Sequence, residues 1–137
     1  MIDFSTFIPR GVLCLYSAWF HYGLTTQIPS SFYIAVPRDV KISVPAYPPF
    51  TIMRWGGATY DLGIIHQTIQ GIPTRIYDLE KCVCDAIKFR NKIGIEVMTE
   101  VLKNYLASKD RNLPKFEHYA KQLRVYNTLK PYLEINV

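Results

Sequence analysis

Residues 72–94 read IPTRIYDLEKCVCDAIKFRNKIG, and this stretch decides the fold. Its first six residues alternate with a period of two, which predicts a strand. Asp78 is of a residue type that caps helix N-termini, and Glu80 places an acid in the first turn, where the helix dipole favours one. From Leu79 the apolar positions recur every three or four residues, as in a helix. The stretch therefore predicts a strand leading directly into a capped helix that stops at Gly94.

The predicted helix has an apolar face and a charged face. Its apolar positions are Leu79, Cys82, Val83, Ala86 and Ile87. Its charged positions are Lys81, Asp85, Lys88 and Lys92. Asp85 lies four residues after Lys81 and three before Lys88, so both lysines can interact with it on a helix surface. The charges predict either a solvated, salt-bridged face or a recognition surface for a polyanion or a protein partner. An internal salt bridge between Arg75 and Asp85, tying strand to helix, is a further alternative.

Three ordered segments resemble one known family. The first pattern is R-x-Y-D-L-E-K-x-x-x-D-x-x-K-F-R-N-K-I-G in residues 75–94. The second is PRGVLCLYSAWFHYGLT at residues 9–25, followed by IPSSFYIAVPR at residues 28–38. The third is RVYNTLKPYL at residues 124–133. On these segments, which together span nearly the whole chain, the sequence resembles the AbiEi-type antitoxins of type IV toxin–antitoxin systems.

The resemblance implies a non-enzymatic antitoxin domain that neutralises a nucleotidyltransferase-like toxin made from the same operon, in a phage-defence system of the abortive-infection type. In that family a winged helix in front of this domain binds operator DNA and represses transcription. The eight residues before Pro9 contain no counterpart of a winged helix. We therefore expect an excised domain or a short natural form that keeps the antitoxicity part, without autorepression through a winged helix.

Composition indicates a globular chain with a basic end. The 137 residues have room for one domain with a sizeable core, and 49% hydrophobic against 20% charged residues excludes a disordered chain. Residues 1–102 hold nine Lys or Arg against eight Asp or Glu, whereas residues 103–137 hold seven against three. A basic C-terminal third suits nucleic acid or an acidic protein surface, but it does not decide between them.

The cysteines and the hydropathy pattern predict where in the cell the protein is found. Three cysteines in a chain without a secretory signal predict a reduced cytoplasm. Cys82 and Cys84 lie two apart on the predicted helix, so they point to different sides and have no zinc-ligand spacing. No apolar run approaches about 18 residues, so neither a transmembrane segment nor a membrane partner is expected.

Along the rest of the chain, periodicity predicts helices and strands in an uneven order. A helix is predicted over residues 12–22, strands over residues 31–36 and 50–55, and a hairpin over residues 62–77 with Gln70 and Gly71 at its turn. Another helix is predicted over residues 95–107. A last helical pattern follows Pro114 and is ended or kinked at Pro131.

These elements predict an α+β fold, in which a small, mostly antiparallel sheet of about four strands is packed against the N-terminal helix and the C-terminal helices. We expect a single domain over residues 1–137. Residues 1–8 form a lead-in, residues 9–77 the helix and strands, and residues 78–133 the helical part.

The motifs of common enzyme classes are missing from the sequence. His21, His66 and His118 are far apart and lack partners at metal-ligand spacing. Neither a glycine-rich phosphate loop nor a G-x-S-x-G elbow occurs. Two of the acids that a metal nuclease would need lie on one helix, rather than converging from strand ends. We therefore expect no enzymatic activity, no metal and no cofactor.

The candidate functional residues are basic or lie among basic residues. They are Arg75, Lys81, Asp85, Lys88, Arg90, Lys92, Arg124 and Lys130. Their expected role is to bind the cognate toxin or to place nucleic acid phosphates, since Arg and Lys do both. Direct contact with the toxin is not required by the resemblance. The alternatives are a stand-alone DNA- or RNA-binding or transcription-regulatory module that uses the basic C-terminal helices, and a structural dimerisation domain.

Overall fold

The computed structural model describes the backbone of residues 1–136 and the side chains of residues 1–134. The strands are β1 (Val12–Leu13), β2 (Phe32–Pro37), β3 (Phe50–Trp55), β4 (Ile64–Ile69) and β5 (Ile72–Tyr77). The helices are α1 (Leu15–His21), α2 (Ala58–Asp61), α3 (Leu79–Lys88), α4 (Arg90–Ile93), α5 (Ile95–Leu106), α6 (Leu113–Gln122) and α7 (Tyr126–Asn136), and a 3-10 turn covers Phe4–Thr6.

The fold is α+β, as predicted, but the sheet has five strands and is mixed. Its strand order is β3-β2-β1-β5-β4. The β1–β2 and β4–β5 pairs are antiparallel, whereas the β1–β5 and β2–β3 pairs are parallel. Parallel neighbours need a connection of about a dozen residues, and the proline-containing segment 38–49 provides it between β2 and β3. The prediction of about four mostly antiparallel strands is therefore wrong in strand number and in direction.

The missed strand, β1, lies where a helix start was predicted. Val12 and Leu13 pair with β2 on one side, and Leu13 pairs with β5 on the other. The Cys14 N–H extends this ladder by donating to the Tyr33 carbonyl at 2.9 Å, and α1 begins only at Leu15. A helical pattern in residues 12–22 is thus overridden at its start, because these two residues complete the centre of the sheet.

The predicted hairpin is confirmed as the β4–β5 pair. All six residues of each strand are in register, from Ile64 opposite Tyr77 to Ile69 opposite Ile72. Gln70 and Gly71 have φ angles of 51° and 81°, and two successive residues with positive φ are typical of the tight turns that match strand twist.

The capped helix is confirmed as α3, although it is shorter than predicted. The Asp78 side chain accepts a hydrogen bond from the Lys81 N–H at 3.0 Å, which is the expected N-cap. The helix ends at Lys88, and the separate turn α4 carries the chain to Gly94. Phe89 interrupts the helix, and its ring stacks on Trp55 of β3 with the centroids 5.2 Å apart.

The last helical pattern forms two helices rather than one. Its break falls at residues 123–125, where Arg124 has a φ of 62°. Pro131 lies inside α7, which continues beyond it. Of the two predicted alternatives, an end of the helix at Pro131 is therefore wrong, whereas a kink there stays a prediction.

The core is organised around α3, in which eight of ten residues are buried. On one side the Trp19 indole N–H of α1 donates to the Cys82 carbonyl at 2.8 Å. On the other, Tyr105 of α5 and Phe116 of α6 meet edge to face, with their centroids 4.8 Å apart. Because α3 is enclosed on several sides, most of its polar face is buried rather than solvated.

Candidate partner-binding surface

The predicted charged face of α3 is divided between the interior and the surface. Lys81 and Asp85 are fully buried, at 0% exposure, and form an ion pair with Nζ 2.9 Å from Oδ2. Both were expected on an exposed face, and that expectation is wrong. The alternative pair between Arg75 and Asp85 is wrong as well, since Lys81 is the partner of Asp85.

Aromatic rings enclose the Lys81 ammonium. It lies 3.7 Å from the centroid of the Tyr77 ring and 4.7 Å from that of Trp55. Aromatic faces attract cations, and the attraction is strongest where water is excluded. Gly63, at a φ of 80°, passes so close that a Cβ added to it would lie 2.7 Å from the Lys81 Cβ. The Lys81 side chain therefore belongs to the core.

Asp85 is less well satisfied than its partner. Its Oδ1 atom is buried and has no hydrogen-bond partner among the described residues. Burial disfavours the charged carboxylate and raises the pKa of Asp85 to about 6, although Lys81 and, more weakly, Lys88 oppose the shift. The pair lies within α3, four residues apart, and because both side chains are buried neither can touch a partner.

The two acids at the start of α3 serve as anchors for α5 and α6. Tyr105 of α5 donates to Glu80 Oε2 at 2.7 Å, and the Asn112 N–H donates to the same oxygen at 3.0 Å. Tyr119 of α6 donates to Asp78 Oδ2 at 2.7 Å. Burial and these bonds to carboxylates raise the pKa of both tyrosines, so each phenol keeps its proton and remains the donor.

Lys115 completes this acidic cluster. Its Nζ lies 3.0 Å from Asp78 Oδ2 and 3.9 Å from Glu80 Oε1. The two carboxylates thereby obtain a cation as well as hydrogen-bond donors. This arrangement joins the helices to one another and leaves neither acid available for metal binding.

Four of the remaining cations of the predicted surface lie at or just after the other end of α3, or in the α6–α7 link that meets it. We call Lys88, Arg90, Lys92 and Arg124 the basic rim. Lys88 and Arg90 are half-buried, whereas Lys92 and Arg124 are exposed. The Lys88 Nζ lies 3.4 Å from the carbonyl of Leu123, the residue before Arg124, so α3 meets the α6–α7 link there. The structure thus brings together two predicted segments of the chain, although Lys88 and Arg124 are 36 residues apart in the sequence.

Two of the rim cations, Lys88 and Arg90, have backbone rather than carboxylate partners. Arg90 donates to the Ile87 carbonyl at 2.9 Å, at the negative end of the α3 dipole. Among the described side chains, the ion pairs within 4.0 Å involve only Lys81 and Lys115 as cations. The rim therefore presents positive charge that is not neutralised by an acid of the described chain.

Arg75 and Lys130 lie apart from these contacts. Arg75, on β5, is half-buried, and its guanidinium lies 3.4 Å from the Tyr60 hydroxyl. Lys130 is exposed on α7. Lys121 was not among the predicted functional residues, but it lies next to the rim. Its backbone carbonyl accepts a hydrogen bond from the Arg124 N–H at 3.2 Å. The sequence feature that could have pointed to Lys121 was the excess of basic residues in the C-terminal third of the chain.

The described residues contain no cluster of three or more His, Cys, Asp or Glu side chains that could hold a metal ion. All three cysteine thiols are buried and free. No helix in the described part of the chain is both long and apolar enough to cross a bilayer.

Sequence reasoning missed a cavity of about 420 Å³ beside α1. Its walls come from segments as distant as Leu13, Phe32 and Ile69. No local pattern could have found it, because the lining residues share neither a motif nor a single element.

Comparison with known proteins adds no relative, since neither a protein-family model nor a curated protein matches this sequence.

Proposed function

We propose that this chain is an antitoxin domain of the AbiEi type that neutralises a nucleotidyltransferase-like toxin, with the basic rim as its functional surface. The observation that carries the proposal is that the first segment of the resemblance packs on α3 and that the last segment begins beside the C-terminal end of α3. Trp19 of the first reaches the Cys82 carbonyl at 2.8 Å, and Lys88 reaches the Leu123 carbonyl, next to the start of the last, at 3.4 Å.

The position of the rim favours an acidic partner surface. Its cations stand at a helix C-terminus and have no carboxylate within 4.0 Å among the described side chains. Charges of this kind are arranged for steering and specificity when they meet a complementary surface. The domain needs no catalytic group for such a role, and we propose that it is not an enzyme.

Growth rescue tests this function. The chain is co-expressed with the nucleotidyltransferase encoded beside it, and rescue of growth is expected. Lys88→Glu with Arg90→Glu reverses two rim charges, so rescue should be lost while the protein stays folded. The matched control is Lys103→Glu with Lys109→Glu, which makes the same charge change at two exposed lysines outside the rim.

The control variant distinguishes an effect of the rim surface from an effect of the net charge of the protein. Equal rescue by the rim variant and the native chain would show that the rim is the wrong surface. Loss of rescue in both variants would indicate a dependence on total charge. Failure of the folded native chain to rescue would contradict the antitoxin function itself.

A second candidate is a stand-alone nucleic-acid-binding or regulatory module, and the same unneutralised cations favour it. Its affinity for DNA or RNA should fall steeply with salt, with a slope of about −0.9 for each phosphate neutralised on duplex DNA. Under the antitoxin proposal, the chain alone should show little affinity for DNA at physiological salt. A filter-binding titration at two salt concentrations distinguishes the two functions.

A further inference from the structure

The cavity beside α1 has the properties of a small-molecule site. Its volume of about 420 Å³ lies in the range of about 300–1,000 Å³ found for ligand pockets. None of the basic rim residues lines it. No Asp, Glu, Lys or Arg side chain of the described residues lines it either. The charged group on a lining residue is the Met1 ammonium, which donates to the side-chain oxygen of Gln70, another lining residue.

Two phenylalanines supply flat apolar walls. Phe20 of α1 is 44% exposed although it is a large aromatic side chain, and Phe32 at the start of β2 is half-buried. Pro29 and Pro49 add rigid apolar surface to the same cavity. Aromatic faces exposed in a concave site suit the stacking of a planar ring, as in recognition of unpaired bases.

Two polar groups lie one helical turn apart on α1 and both line the cavity. The Ser17 Oγ accepts from the Tyr33 N–H at 3.0 Å, so its own hydrogen has no acceptor among the described residues. The His21 Nε2 lies 2.9 Å from the Gln67 side-chain oxygen. Because an amide oxygen only accepts, Nε2 is the donor in this contact, and Nδ1 is the ring nitrogen left for a ligand. Ser17 and His21 therefore place a donor and an acceptor one helical turn apart in a cavity with aromatic walls.

We propose that this cavity binds a neutral planar heterocycle with neighbouring hydrogen-bond donor and acceptor groups, the chemistry of a nucleobase, presented as an uncharged nucleoside. Stacking against Phe20 and Phe32 holds the ring. Ser17 donates to the acceptor of the heterocycle, and His21 accepts from its donor. The site is separate from the basic rim and does not depend on the antitoxin function.

Titration of the isotope-labelled full chain with uridine and with adenosine tests the proposal. We expect saturable amide shifts of Ser17, Phe20, His21 and Phe32 with at least one nucleoside. Indole, an apolar planar probe that lacks the acceptor, should bind about fivefold more weakly, since one hydrogen bond to a ligand is worth about 1 kcal/mol.

Two cavity variants and one control sharpen the test. Ser17→Ala removes the donor and should weaken nucleoside binding about fivefold while leaving indole binding unchanged. Phe20→Ala removes an exposed stacking wall and should weaken both probes. Ser43→Ala changes an exposed serine outside the cavity and should change neither.

The proposal fails if neither nucleoside shifts the cavity amides at millimolar concentration, or if the shifts map elsewhere. It fails equally if indole binds as tightly as the nucleosides, which would describe an unselective apolar hollow. Because the Ser17 hydroxyl also supports the Tyr33 backbone, Ser17→Ala is first checked for a native spectrum. If it does not fold, Phe20→Ala and the comparison of nucleoside with indole decide the outcome.

Discussion

The two ends of α3 carry similar residues and use them in opposite ways. At the start of the helix, Lys81 and Asp85 are fully buried and paired, and the neighbouring acids receive donors from α5 and α6. At its end, Lys88 and Arg90 contact only backbone carbonyls among the described residues, and their positive charge remains available. The charged residues along one face of a helix therefore do not all have the same role. Its buried half determines how the domain is held together, and its surface half is the part that can meet a partner.

Breaking the buried pair should have the largest effect. Lys81→Met keeps the length of the side chain but leaves the Asp85 carboxyl without its cation, and removing one partner of a buried pair costs about 3–5 kcal/mol. Urea unfolding at pH 7 measures the loss. In Lys81→Met with Asp85→Leu no charge is left unpaired, so most of the stability should return. A loss below about 1 kcal/mol in the single variant would show that the pair contributes little.

The second largest effect is expected in the pH dependence of stability, through the titration of Asp85. Its pKa of about 6 in the folded chain exceeds the usual value of about 3.9 for an unfolded Asp. Between these values the folded state holds the proton more tightly, so the contribution of this carboxyl to stability is greatest below about pH 4 and falls as the pH rises towards 6. The full change is at most about 3 kcal/mol.

The measurement compares native protein with Asp85→Asn, by urea unfolding at pH 4 and at pH 7. The native protein should lose stability relative to the variant over this interval, because Asn does not titrate. A constant difference between the two proteins at both pH values would contradict the raised pKa of Asp85.

The smallest effect on stability is expected at the rim. Lys88→Glu with Arg90→Glu places acids at a helix C-terminus, where each costs about 0.3–1 kcal/mol. The free energy of unfolding should therefore drop by only about 1–2 kcal/mol, well below the effect of Lys81→Met. Comparing the two unfolding curves at equal pH and salt is sufficient. A loss as large as that of Lys81→Met would mean that the rim is part of the folded framework, and the rescue experiment would then report on stability.

Some elements were readable from the sequence because their signals are local. The Asp78 cap, the helical period after it, the Gln70–Gly71 turn and the strand that joins them depend on residues a few positions apart, and all four are present in the structure. The sequence likewise showed which residues of the predicted surface are charged. It did not show how deeply each one is buried, because Lys81 and Lys88 are both lysines on one helix and differ only in what packs against them.

The sequence by itself determined the strand-to-helix unit, the α+β class and the supply of basic residues, since each follows from periodicity, capping or composition. Only the tertiary structure decided the direction of the strand pairs outside the β4–β5 hairpin, the burial of Lys81 and Asp85, and the cavity beside α1. The reason is physical. Sheet order and cavity walls join segments distant in the chain, such as Leu13 with Ile76, and burial depends on the elements that enclose a side chain rather than on the side chain itself.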